Sequence, residues 1–121
     1  MKSLLLVAHG SRRELSNKEV RRVSQQIEKI AGKDFLSIKC AFLELALPSI
    51  PEGIDQCIND GAKTVIVFPY FLSAGRHVSE DIPKIIKEKQ QEYPDIEIKI
   101  VEHMGAVTGM ADLILRHISE E

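Results

Sequence analysis

Two of the four histidines in this sequence stand in loop-like segments with glycine and arginine beside them, Ala8-His9-Gly10-Ser11-Arg12 and Ser73-Ala74-Gly75-Arg76-His77. Imidazole both ligates divalent metals and exchanges protons near neutral pH. Glu44, just past a short apolar run, can add a carboxylate. A His, His, carboxylate set suits a borderline divalent ion with open coordination positions. Each residue also has an ordinary reading: a lone histidine is more often structural than a ligand, and Glu44 taken alone is a solvated loop acid. The fold decides between the readings, because it determines whether the three meet.

Four short apolar runs, Ser3–Ala8, Leu36–Leu43, Thr64–Phe68 and Ile96–Val101, alternate with four stretches of helical period. That alternation predicts an α/β fold, an open parallel sheet with helices on both faces. Leu4-Leu5-Leu6-Val7 and Val65-Ile66-Val67-Phe68 are apolar throughout, as central strands buried on both faces are. Ile96-Glu97-Ile98-Lys99-Ile100 alternates, and Leu36-Ser37-Ile38 begins the same way, which places these two at the edges. Right-handed crossovers then give the strand order 2-1-3-4. The winding reverses between strands one and three, and ligands of such sheets bind at that reversal, at the carboxyl ends of the strands. The loops after Ala8 and Phe68 are the ones that carry His9 and His77.

Helix signals agree with this division. Ser16 with Glu19 reads as a capping box before an apolar face of Val20, Val23, Ile27 and Ile30, with Gly32 as the stop. Ser49 with Glu52 repeats the box, Pro51 fits a first turn, Ile54, Cys57 and Ile58 form the stripe, and Gly61 ends it. A third helix starts between Ser79 and Ile82 and buries Ile82, Ile85, Ile86 and the stem of Lys89. A fourth, from about Thr108, is expected to bury Met110, Ala111, Ile114 and Ile118.

Composition narrows the partners. A chain of 121 residues, 44% hydrophobic and 28% charged, is the size and make-up of one globular domain, residues 1–121. A net charge of −2 gives no general attraction to nucleic acid or anionic lipid. The opening apolar run stops at His9-Gly10-Ser11-Arg12-Arg13, short of a signal peptide, and Pro69 breaks the run Val65–Leu72 far below the length of a membrane span. Cytoplasmic location is the expectation. Cys40 and Cys57 show no metal or redox spacing and are expected to be reduced residues of the interior.

Rival chemistries on this fold find few of the residues they need. A flavin or phosphate loop wants several Gly, Ser or Thr residues after strand one, where only Gly10 and Ser11 stand. A phospho-accepting receiver needs acids after strand one and an Asp ending strand three, where the chain has His9 and Phe68-Pro69. A histidine phosphatase needs Arg directly before His-Gly, and Ala8 is there.

Three motifs in order, Val7-Ala8-His9-Gly10-Ser11-Arg12, then Phe42-Leu43-Glu44-Leu45 with Pro48-Ser49-Ile50, then Pro69-Tyr70-Phe71-Leu72 with Gly75, His77 and Asp81-Ile82-Pro83, resemble the class II chelatases of the short CbiX type. The resemblance runs the length of the chain. It implies a chelatase-like (flavodoxin-like) domain equivalent to half of the longer two-domain chelatases, and a sirohydrochlorin cobaltochelatase activity serving cobalamin synthesis. On that resemblance His9 and His77 hold the metal and Glu44 assists them in catalysis. Ser11, Arg12, Glu44, Tyr70, Phe71, Leu72, Ser73, Ala74, Gly75 and Arg76 line the site for the tetrapyrrole, whose carboxylates Arg13 and Lys84 could also meet.

Cobalt enters as a substrate, and no permanently bound cofactor is expected. Nickel or iron insertion into the same macrocycle, and a non-catalytic metal or tetrapyrrole carrier, stay open beside cobalt insertion. A homodimer is expected, with Tyr70, Phe71 and Leu72 at its interface and a core role as the competing reading for Phe71. The chain departs from the family pattern after strand four, at Glu102-His103-Met104-Gly105-Ala106-Val107-Thr108, where a Pro-rich turn is usual. His103 is a possible accessory there, and His117 is expected on the surface.

Overall fold

The apolar runs become strands and the periodic stretches become helices in the computed structural model, which describes residues 1–119. β1 (Lys2–Ala8), β2 (Ser37–Phe42), β3 (Thr64–Pro69) and β4 (Glu97–Ile100) form one parallel sheet in the order β2-β1-β3-β4, as expected. The helices are α1 (Glu14–Ala31), α2 (Ile50–Asn59), α3 (Ile82–Glu92) and α4 (Met110–Ser119). No helix among the described residues is long and apolar enough to cross a membrane.

The main core lies between the sheet and the pair α2 and α3. Leu5, Val7, Ala41, Val65, Val67 and Ile98 meet Ile50, Ile54, Cys57, Ile82 and Ile86 there. Each fully buried Leu or Ile contributes about 1.5–3 kcal/mol. The α2 start is as read: Ser49 Oγ accepts from Glu52 N at 3.3 Å, and Ser49 N donates to the Glu52 carboxylate at 3.0 Å. These bonds hold the Glu52 carboxyl below its ordinary range. Lys89 also behaves as expected, its stem buried and its ammonium donating to Asp55 at 2.8 Å and Glu92 at 2.9 Å, which ties α3 to α2. Both cysteines are free; burial pushes the Cys57 thiol up to about 11, so it stays protonated and inert.

Four expectations fail. α1 begins at Glu14, with Arg13 as its uncapped first residue, so Ser16 and Glu19 form no capping box. The chain bends early because Asn17 bonds back to the Ser11 backbone. On α1 the buried residues are Asn17 and Ser24, while Ile30 is exposed and Val20, Val23 and Ile27 are half-buried. β3 is buried on one face only: Val65 and Val67 are covered, whereas Ile66 and Phe68 are half-buried. The reason lies in α4, which buries none of Met110, Ala111, Ile114 or Ile118 and leaves that side of β3 uncovered.

Candidate metal centre

The site is built where three strands run out. Pairing continues past β1 and β2, with Leu43 N donating to Ala8 O at 2.9 Å and Glu44 N to His9 O at 3.0 Å. On the other side Tyr70 N donates to Val7 O at 2.7 Å. These bonds zip the backbones of His9 and Glu44 together, and the Glu44 carboxylate lies 2.6 Å from His9 Nε2. Gly10 makes the approach possible, since it sits at φ +95° with Glu44 O where a Cβ would be, 1.7 Å away.

A second brace holds the same loop from below. Asn17, 2% exposed, accepts from Ser11 N at 2.9 Å through Oδ1 and donates to Ser11 O at 2.8 Å through Nδ2. A buried amide thus pairs both backbone groups of the residue two beyond His9. Asn17→Ala leaves both groups of Ser11 without a partner, so it is expected to destabilise the protein by about 1–3 kcal/mol. Thermal unfolding of the two proteins measures this, and an unchanged Tm would mean that water replaces the amide without loss.

His77 is placed by the chain after β3. It opens a wide π-type turn, His77–Asp81, that leads into α3, so helical structure starts sooner than the sequence reading placed it. Such turns recur at functional sites. Gly75 O accepts from Ser79 N and from Ser79 Oγ, both at 3.0 Å, which anchors the entry to the turn. His77 Nδ1 lies 2.8 Å from an Asp81 carboxylate oxygen. With Nδ1 donating its proton to Asp81, Nε2 is left with a free lone pair.

The three expected residues converge. One ligand atom from each of His9, Glu44 and His77 lies within 4.8 Å of the others, and the two imidazoles meet edge to face at 4.7 Å. At metal–nitrogen bonds of about 2.1 Å, two donors at a tetrahedral angle on one ion stand about 3.4 Å apart, so the widest separation must close by up to about 1.4 Å. The His9–Glu44 bond must open as both turn to the ion. Side-chain exposures of 44% for His9, 52% for Glu44 and 41% for His77 make this an open site, unlike the closed cage of a structural metal.

The remaining expected residues divide. Arg12, Ser73, Ala74, Gly75 and Arg76 are exposed on the two site loops, and Arg13 and Lys84 are exposed nearby in sequence. Arg76 is engaged with Glu80 at 3.4 Å, and the half-buried Ser11 accepts from Arg13 N through Oγ. Phe71 packs against the core, which favours the core reading for it, while Tyr70 and Leu72 stay exposed. These three with Met104 and Met110 wall an apolar cleft of about 320 Å³. His103 is half-buried at the start of the 3-10 turn Met104–Ala106 and is outside the three-residue cluster; His117 is exposed. The atypical segment after β4 is used to hold the strand-three loop: Gly105 N donates to Phe71 O at 3.0 Å.

Asn17 and Asp81 were missed as site residues. Asn17 carries no signal in a single sequence, since asparagine in a helix reads as surface. Asp81 had one, its spacing of four from His77, which puts both on one side of a helical turn.

Comparison with known proteins agrees with the fold. The sequence pattern of one family, CbiX, matches residues 3–121. The chain is 31% identical over 120 residues to a protein of Priestia megaterium named sirohydrochlorin ferrochelatase, covering 99% of this chain and 44% of that one. It is 32% identical over 120 residues to one of Sulfurisphaera tokodaii named sirohydrochlorin cobaltochelatase, covering 99% and 93%. The sirohydrochlorin chelatase SirB of Bacillus subtilis subspecies spizizenii, solved with cobalt, superposes with a TM-score of 0.82 at 25% identity over 98% of this chain and 50% of that one. The chain spans about half the length of the first two curated relatives it matches, at 48% and 44%. With this fold, these motifs and a match along nearly its whole length, the chain belongs to the CbiX family.

Proposed function

We propose that this protein inserts a divalent metal, cobalt, into sirohydrochlorin, in the cytoplasm and in the service of cobalamin synthesis. The observation that carries the reading is the meeting of His9, Glu44 and His77 in an open site at the sheet's carboxyl rim. Metal insertion exchanges one divalent ion for two pyrrole protons. Neutral imidazoles suit both halves of that exchange, since they release a borderline metal to ring nitrogens and accept protons. Glu44, holding His9 before metal arrives, supplies the anionic donor that draws the cation in.

The apolar cleft beside Tyr70 and Leu72 offers a face to the macrocycle, and the exposed Arg12 and Arg76 offer cations to its carboxylates. A cleft of about 320 Å³ is at the small end of sites that enclose even a drug-sized molecule. It holds one edge of a tetrapyrrole, and a second copy in a homodimer provides the opposite wall.

The test is turnover: protein in catalytic amount with sirohydrochlorin and Co²⁺, Ni²⁺ or Fe²⁺, followed by the change in absorption. Cobalt insertion over many turnovers is the expected result. Iron as the faster metal would move the protein to the role named for the Priestia relative, and a single stoichiometric binding event would make it a carrier.

Asp81 gives a sharper check on His77. A carboxylate behind a metal-binding histidine fixes its tautomer and raises its basicity, and loss of such a partner weakens metal binding by roughly 10–100-fold. Asp81→Asn is expected to weaken Co²⁺ binding within that range, with thermal stability kept, because the pair is half-exposed. Equal Co²⁺ affinity in a titration of the visible absorption of cobalt would remove Asp81 from the site.

A further inference from the structure

β4, Glu97–Ile100, is an edge strand, since the order β2-β1-β3-β4 gives it a single neighbour. Its inward groups are spent on β3: Glu97 N donates to Lys63 O at 2.9 Å, and Val101 N to Val67 O at 3.0 Å. In a parallel ladder alternate residues bond to one side, so the backbone groups of Ile96, Ile98 and Ile100 point away from the sheet. A row of unpaired N–H and C=O groups is a template for pairing with another chain. The opposite edge of the sheet is shielded by the chain's own return, where Phe42 N donates to Pro48 O at 2.8 Å and Ser49 bridges to Phe42 in parallel sense.

Outside β4 no strand stands among the described residues, and one side chain takes its place. Gln90, half-buried in the last turn of α3, accepts from Ile98 N through Oε1 at 3.0 Å and donates to Ile96 O through Nε2. One residue of an added parallel strand makes the same two bonds, its N–H to the first carbonyl and its C=O to the N–H two residues on. Nε2 also donates to Tyr93 O at 3.0 Å, so the amide nitrogen faces two carbonyls and the amide oxygen faces an N–H. The reversed amide would set like against like. The edge has something to offer a partner if it is left open. Pro83, Ile86, Ile98 and Ile100 wall a groove of about 350 Å³ between α3 and β4, a place for alternate side chains of an incoming strand.

We propose that Gln90 guards this edge: its carboxamide fills the place of a fifth strand and keeps β4 from pairing with the same edge of a second copy. A tether between α3 and β4 needs only one of the two bonds, whereas closing a ladder needs the donor and the acceptor together. β4 is four residues long, so covering Ile96 and Ile98 leaves too few open groups for a new ladder. The exposed Glu97 and Lys99 add charges on the same strand. Every copy carries the same edge, so two of them can meet about a two-fold axis once the guard is gone.

The experiment compares the parent with Gln90→Leu, which keeps much of the side chain's bulk and loses the amide, and with Gln90→Lys, which loses the acceptor but sets a charge at the edge. Amide hydrogen exchange at Ile98 is expected to quicken by roughly 10–100-fold in both variants, with Glu97, bonded to β3, unchanged. Light scattering and analytical ultracentrifugation from micromolar to millimolar protein are expected to show species larger than the parent's in Gln90→Leu and none in Gln90→Lys. Unchanged exchange at Ile98 would mean that Gln90 does not close the edge. Quickened exchange with no larger species in Gln90→Leu would reduce it to a tether. Equal association of the two variants would trace the larger species to lost stability and overturn the guard.

Discussion

His9→Ala and His77→Ala are each expected to lose chelatase turnover by at least roughly 100-fold, the span over which a single positioned proton-transfer group acts. Co²⁺ binding should fall with it. Three donors within 4.8 Å are the minimum set that this part of the molecule offers, and removing one leaves a pair that exposed groups form anywhere on a surface. Neither change should alter thermal stability by more than about 0.5 kcal/mol, because both side chains are half-exposed and make no core contact. That separation between a large loss of activity and a small change in stability marks functional residues. The double variant His9→Ala/His77→Ala should be little worse than either single one, as groups acting on one ion as a unit are not additive. Cobalt titration, steady-state turnover and thermal unfolding on the three variants measure all of this. Near-normal turnover in either single variant would remove that histidine from the site.

The parts of this site that the sequence makes legible are those that follow directly from strand ends. His9 comes immediately after β1 and Glu44 lies two residues past β2, so aligning parallel strands at their carboxyl ends brings the two together with no knowledge of side chains. His77 is eight residues past β3, and its convergence depends on the turn through Gly75 and the wide turn at His77–Asp81, neither of which has a sequence signature. Asn17 was hidden because its partners are backbone groups of Ser11, reached only once the loop has folded back on α1. The burial of β3 was misjudged for a different reason. An apolar run reports that both faces want cover, and the period of α4 reports that it has cover to give, but neither states that the two meet. The half-buried Ile66 and Phe68 and the exposed Ile114 and Ile118 are the two sides of that one ambiguity.

Gly10→Ala is expected to cost metal binding about as heavily as loss of a ligand, although it removes no donor atom. At φ +95° an L-residue is strained by about 1–3 kcal/mol. The larger effect is steric, because the new Cβ would stand 1.7 Å from Glu44 O and 2.9 Å from Glu44 C. Both are backbone atoms and cannot rotate away, so the Glu44 loop must retreat by more than about 1 Å, judged against an ordinary contact of about 3.5 Å. That retreat breaks the bond from Glu44 N to His9 O and carries the carboxylate away from His9 Nε2. A misplacement on the order of 1 Å at a reacting centre lowers rates by about 100-fold. Gly32 provides the comparison. It also lies at positive φ, +59°, but nothing stands within 4 Å of its Cβ position, and it ends α1 far along the chain from the metal centre. Gly32→Ala should therefore lower the unfolding midpoint by strain alone and leave Co²⁺ affinity and turnover unchanged. If Gly10→Ala bound Co²⁺ as tightly as the parent while losing the same stability as Gly32→Ala, the close approach of the two loops would have no part in placing Glu44.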